Sequence, residues 1–253
     1  MTDGSATIGA TLRAGLSDVA NAARDCWAAL AVAAVVSVAA DFLPPGVRLL
    51  GGLLALVIAQ GALFRRAFGR QTGLKGLRWG RDEWRLLAAQ LMILALLFLI
   101  GAILMVIVGG VSLGVAPPPA PNFDPGTIAG WKGAFASAGP AGIVLVVAPL
   151  ASFAILIWLS LRLSLSAPAT VEQSGVRVLS AFPLTKGRVP TLFVVGLAIV
   201  VPMMALSALL TLAPGQSLVV AAILAAVAYF YAMPAWAGSL AHFYRASAVT
   251  QEA

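Results

Sequence analysis

Residues 86–115 read LLAAQLMILALLFLIGAILMVIVGGVSLGV, an unbroken run with no charged side chain. A helix rises about 1.5 Å per residue and the hydrocarbon core of a bilayer is about 30 Å thick, so about 20 apolar residues cross it. This run exceeds a span, and tilt or projection beyond the core is expected of it. No water reaches the bilayer core to satisfy a bare backbone, so an uninterrupted run there has to be helical.

Working outward, five further runs have spanning character. They extend from about Trp27 to Leu43, closed by Pro44-Pro45-Gly46; from Leu49 to Phe64, ended by Arg65-Arg66; from Ala141 to Leu161; from Thr191 to Leu212; and from Leu218 to Phe243. The predicted fold class is all-α: a polytopic membrane protein whose six-helix transmembrane bundle occupies residues 27–245, after an N-terminal segment 1–26 and before a tail 246–253. Composition agrees. The chain of 253 residues is 61% hydrophobic and 10% charged, against about 45 to 50% and about 25% in soluble domains.

In the N-terminal segment Ile8, Leu12, Leu16, Val19 and Ala23 recur every three or four residues, one face of a helix. This predicts an amphipathic helix on the cytoplasmic membrane surface. Asp3, Asp18 and Asp25 beside Arg13 and Arg24, with the apolar run starting only at Trp27, do not make the n-region of a signal peptide.

Basic residues set the sidedness. With the N-terminus inside, the inner segments hold Arg13 and Arg24; Arg65, Arg66, Arg70, Lys75, Arg78, Arg81 and Arg85; Arg162, Arg177, Lys186 and Arg188; and Arg245. The outer loops hold only Arg48 and Lys132. Both termini are therefore expected in the cytoplasm, and the formal net charge of +7 is an inner-surface charge. The Arg, Ala, Gly and Val bias suggests a GC-rich bacterial source and hence the inner (plasma) membrane. Trp27, Trp79, Trp84, Trp131 and Trp158 fall near span ends or in loops, where an indole anchors in the headgroup layer.

The chain is poor in chemistry. Cys26 and His242 are each alone, which removes disulfides, multi-cysteine sites and two-histidine metal sites. There is no phosphate-binding GxxxxGK, no GxGxxG and no GxSxG turn. Asp41, His242 and the hydroxyl residues form no evident nucleophile, base and acid set. The reading is of a non-enzyme without cofactor or metal. An importer permease is disfavoured, because its docking motif places Gly six residues after a Glu and here Glu172 to Gly175 is three.

The middles of all six runs lack ionisable residues, the usual mark of ion transport. Asp41, ending the small stripe Ala29, Ala33, Ser37, reads as a packing face whose carboxylate caps or pairs with Arg48, with an ion site as the alternative. Gln60 and Gln90 read as a mutual pair, since an amide in lipid needs a partner. Gly110-x-x-x-Gly114 and Ala235-x-x-x-Ser239 are small-residue faces that allow close helix approach. Pro149, Pro202 and Pro234 predict kinks. The outer loop 116–140 reads as an interfacial segment.

Two inner loops carry the candidate site. In residues 65–85, Arg65, Arg66, Arg70, Lys75, Arg78, Arg81 and Arg85 outweigh Asp82 and Glu83, and Leu74, Leu77, Trp79 and Trp84 add apolar contacts. Near an anionic leaflet each such cation contributes about 1 kcal/mol, so these residues are candidate contacts for anionic headgroups, unless they serve only to set topology. Nucleic-acid binding is not indicated, as nothing resembles a base-reading fold. Asp82-Glu83 suits a helix start. In residues 162–188, Arg162, Arg177, Lys186 and Arg188 are the corresponding candidates. Pro168 can open a short helix, Glu172 and Arg177 are near enough for a local ion pair, and the whole reads as a surface connector. Gly187-Arg188 before the fifth run echoes Gly80-Arg81 before the third, a hint of a repeated hairpin.

The order R-L-x-L-x-x-P-A, E-x-x-G, then L-T-K-G-R, carried by Arg162, Pro168, Glu172, Gly175, Leu184, Thr185, Gly187 and Arg188, resembles the membrane domain associated with glycerophosphoryl diester phosphodiesterases and related bacterial membrane proteins. The match covers about 27 residues, and Ser180-Ala181-Phe182-Pro183 stands where that family often has Arg-Ser-Trp. The resemblance implies a membrane module only, since the family's catalytic part is a separate soluble barrel that no segment here encodes. The expected role is non-enzymatic: membrane or envelope organisation through anionic lipid, a membrane-protein partner or a homo-oligomer. The alternative is a small permease or lipid transporter with a cavity among the Pro-kinked spans.

Overall fold

The computed structural model describes residues 7–70, 73–115, 132–133, 140–179, 181–211 and 218–252. Among them every regular element is helical, and the one isolated β-bridge joins Leu74 to Leu77. The helices are α1 (Ile8–Ser17), α2 (Val19–Asp25), α3 (Trp27–Asp41), α4 (Pro45–Ala67), α5 (Arg81–Val115), α6 (Pro140–Leu163), α7 (Ser166–Glu172), α8 (Ala181–Leu184), α9 (Val189–Thr211), α10 (Leu218–Val227) and α11 (Met233–Glu252). A π-helical turn, Ala228–Ala232, joins the last two.

Five of these stretches are long and apolar enough to cross a membrane: Pro45–Ala67, Arg81–Val111, Ile143–Glu172, Val189–Leu210 and Leu218–Ser247. The first expected span differs. Trp27–Asp41 has 15 residues, about 22 Å of helix, which is short of the hydrocarbon core. It reaches spanning length only together with Ile8–Asp25, to which it is bent by 90°. The break falls at Cys26, whose backbone leaves the helical region (φ −112°, ψ 17°).

The chain divides into two compact units. The first comprises residues 1–93 and 161–253. Its core rests on small side chains: Ala29 and Ala33 of α3 and Ala55, Ala59 and Ala62 of α4 are fully buried, joined by Leu30, Phe64, Leu86 and Phe243. Alanine lets backbones approach closely, the main source of helix affinity where lipid is as apolar as leucine. At Gly51 the approach is close: a Cβ there would lie 2.6 Å from that of Ala40. At the far end of this pair Arg48 and Asp41 meet at 2.9 Å, both largely exposed, as the pairing reading of Asp41 expects. Gln90 Nε2 donates to Gln60 Oε1 at 2.8 Å, the expected mutual pair.

The amphipathic N-terminal helix forms, started by Thr7, whose hydroxyl accepts from the Ala10 amide. Part of it packs into the bundle. Its small edge, Thr11 and Gly15, is buried against α11, where Ser239 Oγ donates to the Thr11 carbonyl at 3.3 Å. A Cβ on Gly15 would overlap Ser239 and the Ala235 carbonyl. The Ala235-x-x-x-Ser239 face is thus taken within the chain. Leu12 and Val19 pack on Val195 and Ile199 of α9, while Ile8 and Leu16 stay exposed.

In the last span Pro234 has no N–H to give the Phe230 carbonyl. The preceding turn widens to π geometry, with the Met233 amide donating to the Ala228 carbonyl. Pro149 and Pro202 lie inside continuous helices.

The second unit, residues 94–160, holds the C-terminal part of α5 and most of α6. Phe98, Met105, Val106 and Phe153 are among its many exposed apolar side chains, and Gly101 approaches Leu156. Gly109, Gly110 and Gly114 face open space. The outer-loop segment expected to be interfacial lies, apart from residues 132–133 and 140, outside the described residues.

Candidate functional site

The two basic loops, the N-terminal helices and the end of α11 converge at one end of the first unit. Four arginines predicted as headgroup contacts make this junction. Arg65, in the last turn of α4, is 2% exposed, pairs with the buried Glu83 and donates from Nη2 to the Gly76 carbonyl at 3.0 Å. Arg66 grips Asp18 (Nη2 to Oδ1, 3.0 Å) and Asp25 (Nε to Oδ2, 2.7 Å). Arg70 donates to Ser174 Oγ at 3.0 Å and to the Glu172 carbonyl at 2.6 Å, and lies 3.7 Å from Asp82. Arg85 reaches Asp82 at 3.4 Å.

Burial takes Arg65 away from the headgroup surface, because a guanidinium under protein cannot also face lipid. Arg66 and Arg70 are held by internal acceptors for a different reason: the sequence offers carboxylates and turn carbonyls at matching positions. Asp18 and Asp25 are seven residues apart, two helical turns, so both face Arg66.

Glu83 acts twice. Its second oxygen accepts the Gly80 amide at 2.7 Å, the reach-back half of a capping box that opens α5, as the Asp82-Glu83 start predicts. Gly61 leaves room for it: a Cβ there would lie 2.6 Å from Glu83 Oε1. Between the arginines, Leu74-Lys75-Gly76-Leu77 forms a tight two-residue turn with positive φ at Lys75 (49°) and Gly76 (84°), closed by the Leu77 amide on the Leu74 carbonyl at 2.9 Å. Gly76 is wedged into the α2–α3 corner, where a Cβ would sit 3.0 Å from Cys26 and 3.2 Å from Ala62.

What this anchored turn presents outward is Lys75, Arg78 and Arg81, all exposed and in no ion pair or side-chain hydrogen bond among the described residues. Interleaved with them are exposed Leu74, Leu77, Trp79 and Trp84. The two indoles meet edge to face with centroids 5.5 Å apart.

The second loop is less superficial than expected. Ser166–Val171 of α7 is buried, Pro168 included in its first turn. Apolar Ala167, Ala169 and Val171 join the core, which a charged connector at the headgroups would not do. The expected Glu172–Arg177 pair is not formed: the Arg177 amide instead donates to Thr170 Oγ1 at 3.2 Å. Of the resemblance positions, Arg162 donates to the Phe182 carbonyl at 3.5 Å and stacks over its ring. Leu184 packs on the core and Thr185 is buried with its hydroxyl on the Phe182 carbonyl. Gly187 has φ 72°, and Arg188 reaches Ser247 at 3.2 Å. Gly175 donates its amide to the Thr170 carbonyl at 3.3 Å. Gly80 and Gly187 differ in conformation, so their echo is one of sequence only. Lys186 and Arg177 are exposed.

Tyr244, Gln173 and Arg245 enter the junction without having been singled out. Gln173 Nε2 donates to Tyr244 Oη at 3.0 Å, and Arg245 donates to the Ala67 carbonyl while stacking on Phe68.

No family model, curated protein or solved structure matches this chain.

Proposed function

We propose that the chain is a non-enzymatic six-span protein of a bacterial inner membrane, with both termini cytoplasmic, that contributes to membrane organisation by holding anionic lipid at its inner face. The observation that carries this is the anchored turn and the helix start that follows it, residues 74–84. This stretch shows three exposed, unpaired cations among four exposed apolar side chains, a combination suited to a headgroup layer with acyl chains beneath. Internal partners hold Arg65, Arg66 and Arg70, so substituting those would test the fold and not the contact.

The test is lipid retention by the purified protein, read by native mass spectrometry in phosphatidylcholine nanodiscs doped with phosphatidylglycerol or cardiolipin. Retention of the anionic lipids over phosphatidylcholine, lost on joint Lys75→Gln, Arg78→Gln and Arg81→Gln substitution, is expected. Equal retention by the native and substituted proteins sinks the proposal.

A further inference from the structure

Beside the anchored turn lies a cavity of about 450 Å³ lined by Arg65, Arg70, Arg78, Arg81, Asp82 and Glu83. That is within the usual size of a small-ligand site. Four guanidiniums and two carboxylates share it. Arg65 is spoken for by Glu83, and Arg70 lies against Asp82, which leaves Arg78 and Arg81 as two positive charges without a counter-charge.

We infer that this cavity binds the phosphate group of a phosphate monoester, with Arg78 and Arg81 neutralising its charge. Arginine's planar fork suits phosphate oxygens better than a point charge does. A monoester carries about −1.5 to −2 at neutral pH, matching the two unneutralised cations, whereas a diester carries a single charge. The inference rests on the reading of this loop as a lipid-contact surface and narrows it to a headgroup chemistry. The same chemistry reaches the cavity from a lipid ending in a phosphate or from a soluble phosphate ester.

The experiment uses the full chain in phosphatidylcholine nanodiscs containing phosphatidic acid, a monoester, or phosphatidylglycerol, a diester. Retained lipid is read by native mass spectrometry, and inorganic phosphate and glycerol 3-phosphate are titrated separately against the melting temperature. A lipid ligand is indicated by retention of phosphatidic acid about tenfold over phosphatidylglycerol, the value of one additional charge-assisted contact. A soluble ligand is indicated by a rise in melting temperature with added phosphate ester. Either response should disappear in Arg78→Gln/Arg81→Gln, whose residues are exposed and whose unliganded melting temperature should be unchanged. Equal retention of the two lipids with no response to either soluble phosphate overturns the inference. If both lipids are then still retained over phosphatidylcholine, the loop-contact reading survives; if neither is, that reading falls too.

Discussion

Arg65 near the end of α4 and Glu83 in the first turn of α5 form an ion pair that is closed to solvent on both sides, at 2% and 1% exposure. Around it the carboxylate caps Gly80 and the guanidinium holds the Gly76 carbonyl. One pair therefore joins a helix end, a helix start and the turn between them. Removing one partner of such a pair typically costs about 3 to 5 kcal/mol, because a charge is left buried alone, while replacing both with apolar groups is often close to neutral. Arg65→Met and Glu83→Leu are each expected to lower the unfolding midpoint in detergent strongly, and the double substitution to recover much of the loss. Additive losses in the double variant would show that the pair is not the unit of stability.

Cys26 supplies a probe of the same corner. Burial pushes its thiol up to about 11 from an ordinary 9.0, so the reactive thiolate is scarce at neutral pH. Because the native state holds this proton longer than the unfolded one, the associated stability is intact below about pH 9 and is lost as pH rises towards 11. Maleimide labelling of the native protein should be slow at neutral pH. Gly76→Ala, strained by its positive φ and its contact with Cys26, should accelerate it. Fast labelling of the unsubstituted protein would contradict the burial.

The Gln60–Gln90 hydrogen bond ties α4 to α5 one to two turns from the ion pair. Coupling between such groups in membrane proteins averages about 0.6 kcal/mol. A double-mutant cycle with Gln60→Leu and Gln90→Leu should return a coupling of that order and sign. A value indistinguishable from zero would mean that each amide is satisfied elsewhere when the other is removed.

Gly15 sets how closely α1 approaches α11. Gly15→Leu has no room beside Ser239 and Ala235, and should free the N-terminal helix while the rest of the bundle keeps its shape. Limited proteolysis should then cut within residues 8–25 of the variant, where the native chain is protected. Unchanged protection would show that α1 is held by Leu12 and Val19 alone.

Five of the six expected apolar helices and two polar pairs between helices were readable from residue type and spacing. Uncharged runs have one backbone solution in lipid, and Asp41 with Arg48, or Gln60 with Gln90, are polar groups that a hairpin brings side by side. The roles of the arginines were not readable in this way. Arg65, Arg70, Arg78 and Arg81 stand within one short loop, yet the first is buried, the second is clamped to Ser174 and Glu172 about a hundred residues away, and the last two are exposed. Likewise Ser166–Val171 reads as a polar-flanked connector but is buried, because alanine and valine there meet the core from a direction the local pattern does not encode.

By itself, then, the sequence determined an all-α fold class with several helices long and apolar enough to cross a membrane, since hydropathy over a run of residues is a local quantity set by composition. Only the tertiary structure decided which cations remain available for a ligand. That depends on which acceptors other segments bring within hydrogen-bond reach, and a guanidinium satisfied by a carboxylate or carbonyl from a distant segment looks the same in sequence as one left facing the membrane.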